Sequence, residues 1–150
     1  MTTEEQEVEQ VKQCFLSRVN PLFGNIKGWL TEKKELHVEQ QNIEIHEKLT
    51  GFYMVPTLVI THQTEQLAEL KPVGAYIMAS EGRVDCLGWL DTEYIIYLVN
   101  GGPYLHGKQM FKDVGDDGWY WVENNLKDKA HPINKETFFK LFAQASDYGL

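Results

Sequence analysis

The stretch VGAYIMASEGRVDCLGWL (residues 73–90) decides the fold. Two runs rich in apolar side chains flank Ser80-Glu81-Gly82, a three-residue hairpin loop with Gly in its last position. They read as two antiparallel strands. After Asp91-Thr92-Glu93 comes another strand, YIIYLVN. A turn at NGG and a second at GDDG (residues 115–118) lead into WYWVE. Short turns between strands impose antiparallel pairing.

Upstream, ELHVEQQNIEIHEK alternates at Leu36/Val38 and again at Ile43/Ile45, which predicts a hairpin turning near Gln41-Asn42 with one wet face. TGFYMVPTLVITH is an unbroken apolar run, expected as a strand covered on both faces. Pro56 within it belongs at an edge or a bulge. QTEQLAEL reads as a short helix closed by Pro72. At the N-terminus, Val8, Val11, Phe15 and Val19 form a helical stripe from about residue 3 to 19, ending at Asn20-Pro21. At the C-terminus, Phe138, Leu141, Phe142 and Ala145 form another. Asn134 is its expected N-cap, Ile133 and Phe138 its staple and Gly149 its C-cap. The prediction is one α+β domain over residues 1–150. It holds a meander-like antiparallel sheet of about five to seven strands, with the two terminal helices packed on it.

The 150 residues carry net charge −8, spread evenly over both halves, with 43% hydrophobic and 12% aromatic residues. No basic lobe exists to bind nucleic acid. An acidic surface suits a basic protein partner. No apolar run is long enough for a membrane span, and the acidic start lacks the apolar region of a signal peptide. Cys14 and Cys86 fit no CxxC pattern, so the thiols suit a reducing, cytoplasmic setting.

GDDGWYWVENN (residues 115–125) has three readings. As a calcium loop it fails, because Gly115 replaces a ligand and the closing acid, Glu123, is one residue early. As a strand, it points Trp119 and Trp121 to one face and Tyr120 and Val122 to the other. The Trp face is then either a stacking platform or core, and core is favoured. Asp116-Asp117-Gly118 is ordinary turn chemistry.

GPYLHGKQ (residues 102–109) falls short of a phosphate loop. Gln109 stands where the magnesium-binding hydroxyl belongs, and no helix can follow. His37, His46, His62, His106 and His131 match no zinc spacing, so neither a metal nor a cofactor is expected. Ser80 lies outside any nucleophile elbow. Cys86 falls in a core-facing row with Val84 and Leu90. Asp85, Asp91 and Glu93 could pair as acid and base, but a solvated turn explains them better.

In type, the chain is similar to bacterial immunity proteins and other small acidic interaction modules. That similarity assigns no residue. The leading expectation is a non-catalytic module binding a basic protein, with toxin neutralisation as one version. Its candidate binding residues are Tyr104, His106, Asp116, Asp117, Trp119 and Trp121. A second expectation is a small-ligand-binding or enzymatic pocket between the sheet and the C-terminal helix, lined by Tyr94, Tyr97, Tyr104, His106 and Trp121. A third is an assembly subunit, such as a homodimer joined at strand edges or a phage component.

Overall fold

The computed structural model describes residues 2–75, 80–123 and 129–149. In chain order the elements are α1 (Thr3–Leu30), β1 (Leu36–Glu47), β2 (Gly51–His62), β3 (Glu65–Gly74), β4 (Arg83–Gly88), β5 (Thr92–Leu98), β6 (Tyr104–Leu105), β7 (Lys108–Gln109), β8 (Gly118–Val122), β9 (Ala130–Pro132) and α2 (Lys135–Ser146). Seven strands form one antiparallel sheet in the order β1-β2-β3-β4-β5-β8-β9, and β6 pairs with β7 apart from it. The α+β meander with two terminal helices is what the sequence pattern predicts. Among the described residues, no helix is long and apolar enough to cross a membrane.

Several local elements differ from expectation. α1 does not stop at Asn20 but runs through Pro21 to Leu30. Proline inside a helix costs about 3 kcal/mol. Beyond it, however, α1 buries Leu22, Phe23, Ile26 and Leu30 on the stripe begun by Phe15 and Val19. At roughly 1.5–3 kcal/mol per buried apolar side chain, this outweighs the loss.

The segment read as a small helix is β3. His62 pairs with Glu65 across a turn at Gln63-Thr64, with Gln63 left-handed at φ 58°. Pairing with strands on both sides overrides the helical spacing of Leu67 and Leu70. In the hairpin expected around residues 80–82, part of the first strand falls on 76–79, outside the described residues. β4 instead pairs with β3, from Ala68↔Gly88 to Gly74↔Arg83.

β1 does not turn at Gln41-Asn42. It pairs with β2 as one unbroken ladder from Leu36↔His62 to Glu47↔Gly51. The break in alternation has another cause. In the half of β2 that also pairs with β3, Leu58 and Ile60 face inward. Beyond Pro56, the buried apolar residues are Ile45, Tyr53 and Val55, of opposite parity. Pairing of β2 with β3 stops at Leu58↔Leu70, short of Pro56 and Pro72, neither of which has an N–H to donate. The freed two-stranded ribbon is able to coil strongly and turn its other face inward.

α2 follows the sequence closely. Asn134 caps it, accepting from Thr137 N at 3.0 Å, and Phe138, Leu141, Phe142 and Ala145 are buried. Its end differs: Asp147, not Gly149, adopts the left-handed conformation, with φ 55°, and donates its N–H to Ala143. Aspartate tolerates that conformation. The main core lies between the helices and one sheet face and includes Cys86, Ile95 and Trp121. A smaller core of Ile96, Leu98, Phe111, Tyr120 and Ala130 lies on the opposite face. There Phe111 and Val114, from the excursion between β5 and β8, close over the sheet.

Candidate functional site

The excursion at residues 99–117 builds one end of the molecule. β6 and β7 meet through His106-Gly107, whose positive φ values of 51° and 78° suit a two-residue hairpin turn. A hairpin rather than a helix follows Gly102, so these residues have no phosphate-loop geometry. The hairpin leaves Tyr104 62%, Leu105 57% and Met110 41% exposed, and His106 is exposed at its tip.

The acidic turn is held from beneath. The Tyr120 hydroxyl accepts from Gly115 N at 3.0 Å and donates to the Asp116 carbonyl at 2.7 Å. Asp117 Oδ1 accepts from Asn100 N at 2.9 Å, tying the turn to the start of the excursion. Asp113, Asp116 and Asp117 then rim a depression of about 440 Å³ with Trp119 at its wall. A neighbouring depression of about 430 Å³ is lined by Glu81, Tyr97, Asn100 and Tyr104.

Of the residues singled out in the sequence, Asp116, Asp117 and Trp119 come together, with Tyr104 and His106 on the adjoining hairpin. Trp121 stands apart. It is 2% exposed in the main core, and its indole N–H has no hydrogen-bond partner among the described residues. Trp119 is half-buried. Its Nε1 donates to the Arg18 carbonyl at 3.0 Å, and its ring meets Tyr97 edge-on at 5.2 Å. Arg18 lies over the Tyr97 face at 4.1 Å. Sequence reasoning missed this cluster because Arg18 is far away in the chain and carries no local signal.

The space between sheet and α2, where a pocket was expected, is occupied by Phe138, Leu141, Phe142 and Trp121. Tyr94 lies on the other sheet face, under the Arg83 guanidinium at 4.7 Å. The possible carboxylate pair does not assemble either. Cys86 pairs with Glu93 and Asp85 with Tyr94, so Asp85 and Glu93 point to opposite faces. Asp85 binds Arg83 through both oxygens, at 2.6 and 2.9 Å. Asp91 Oδ1 accepts from Thr92 N.

Val84 and Cys86 are buried as expected, and burial pushes the Cys86 thiol up to about 12. Leu90 leaves that row, 56% exposed in the β4–β5 turn. Glu123 bonds His131 at 2.9 Å and Gln144 at 3.2 Å. Burial alone pushes its pKa up, but those bonds and the charges of His131 and Lys129 prevail and hold it below the usual value. Among the described residues, no three His, Cys, Asp or Glu side chains converge as a metal site. Compared with models of protein families, with curated proteins and with solved structures, the chain shows no match.

Proposed function

We propose that the chain is a non-catalytic protein-binding module. It takes a basic segment of its partner on the end formed by the β6–β7 hairpin and the acidic turn. Neutralisation of a basic toxin, such as a nuclease, is the concrete version, in a cytoplasm that keeps Cys14 and Cys86 as free thiols. One observation carries the reading: Tyr104 and Leu105, both more than half exposed, stand on the hairpin that follows Asn100, and Asn100 N is bonded to Asp117 in the stretch that presents Asp113, Asp116 and Asp117. Exposed aromatics are suited to anchoring an interface, and the carboxylates to steering a cationic partner. Lys108 and Lys112 share the excursion, so this end is mixed in sign, and the wider acidic bias comes from the net charge of −8.

The test is parallel affinity capture from the native host with the wild-type chain, Tyr104→Ala and Asp116→Lys/Asp117→Lys. A basic protein that the wild type retains, and that both variants lose, supports the reading. A partner held equally by all three overturns it. So does the absence of any partner combined with turnover of a small molecule by the purified chain.

A further inference from the structure

A second groove opens on the other side of Trp119, between α1 and the strands β5 and β8. It encloses about 290 Å³. Trp29, Tyr97 and Trp119 form its walls, and Ser17, Arg18 and Asn25 add polar groups. Arg18 is the unusual member. In a chain with 22 acids and 14 Lys and Arg, it makes no ion pair with any carboxylate among the described residues. The nearby acidic residue, Glu81, offers its backbone carbonyl instead, at 3.2 Å from the Arg18 Nη1. That bond and the Tyr97 ring fix the guanidinium and leave the rest of its donor fork unused.

Two further features equip the groove. Pro21 has no N–H, so the Ser17 carbonyl one turn earlier lacks its helical donor. The Tyr97 hydroxyl and the Asn25 amide make no hydrogen bond within the described protein. We propose that this groove binds a carboxylate carried on an aromatic ring, either a free aromatic acid or the chain terminus of a peptide ending in an aromatic residue. The guanidinium takes the carboxylate, and Trp119 and Trp29 take the ring. A phosphate fits less well. The groove lies along the middle of α1, where backbone N–H groups are engaged in the helix and cannot cradle a dianion. The site lies outside the acidic turn and does not depend on the protein-binding role.

The test uses the full ¹⁵N-labelled chain, whose four Trp give four indole N–H signals. A Trp119→Phe spectrum assigns the Trp119 signal. Phenylacetate is expected to shift it saturably. Phenylacetamide, of the same shape without the charge, binds at least about tenfold more weakly, and acetate gives no saturation. Arg18→Met loses about tenfold or more in affinity, and Arg18→Lys falls between.

A Trp119 signal unmoved by phenylacetate into the millimolar range overturns the proposal, as does phenylacetamide binding equally well. The second comparison needs only the wild-type chain, so it holds even if the Arg18 variants fold poorly. A peptide with a free C-terminal Phe that outbinds phenylacetate assigns the site to chain termini; the reverse order assigns it to free acids. Either order supports the site.

Discussion

Gly88→Ala tests the packing that joins α2 to the sheet. A Cβ at Gly88 would stand 1.9 Å from the Ala145 carbonyl oxygen and 2.3 Å from its carbon. Both are backbone atoms, so no side-chain rotation relieves the clash. The end of α2 must move away from the β4–β5 turn. That movement strains the bonds from Leu90 N and Asp91 N to the Ala145 carbonyl, 3.1 and 3.0 Å long. Overpacking costs about 1–3 kcal/mol, and each weakened hydrogen bond about 0.5–1.5 kcal/mol. The expected loss is therefore about 2–6 kcal/mol, a fall in Tm of roughly 5–20 °C for a domain of this length.

The assay is urea unfolding followed by circular dichroism, with Gly24→Ala as the control. Gly24 sits in α1 with nothing within 4 Å of a Cβ, so alanine there adds about 0.5–1 kcal/mol through helix propensity. A Gly88→Ala chain within about 0.5 kcal/mol of wild type, the range of an ordinary surface change, would refute this close packing of α2 on the β4–β5 turn.

Trp121→Ala opens a cavity in the main core and costs about 3–5 kcal/mol by the same assay, whereas Phe52→Ser, at a side chain 66% exposed, loses only its stacked cross-strand pair with His46 and costs no more than about 1 kcal/mol. In thiol labelling of the native protein, exposed Cys14 reacts and Cys86 does so only after unfolding; rapid labelling of both would refute its burial. Glu123 has a folded pKa below its ordinary 4.5, so its stabilising contribution is complete above the unfolded value and is lost as pH falls through the folded one. The stability gap between wild type and Glu123→Gln should accordingly be fully open well above pH 4.5 and narrow progressively as the pH falls below it, as read by melting across pH. A gap that does not change with pH would contradict that pairing.

Much of the sheet was legible because its strands pair in chain order, most of them through local turns. The Phe138-Leu141-Phe142-Ala145 stripe and the Asn134 cap place α2 by nearest-neighbour chemistry alone. The errors arose where distant contacts decide. Pro21 looks like a helix stop until the burial of Leu22, Phe23, Ile26 and Leu30 is counted. The phase break between Val38 and Ile43 was a real signal, but it marks a change of buried face and not a turn.

At the candidate site, Asp116, Asp117 and Trp119 were within reach of sequence reasoning because they are neighbours in the chain. The supporting Tyr120 hydroxyl bonds were not, nor was Arg18, which is placed only by the packing of α1 across β5 and β8.

The change of buried face along the β1–β2 ribbon also bears on how the protein meets its own copies. β1 is a twelve-residue strand at the sheet border, with neither proline nor lysine in it. Such a strand is ordinarily an open template for aggregation. Two copies running antiparallel join only even-numbered residues to even and odd to odd, because outward backbone groups alternate along an unbroken strand. In registers that use most of β1, Leu36 and Val38 would then face Glu44 and His46 of the other copy, never Ile43 or Ile45. The swap of faces sets oily side chains against ionic ones in long antiparallel ladders of this kind, which disfavours their growth at the border.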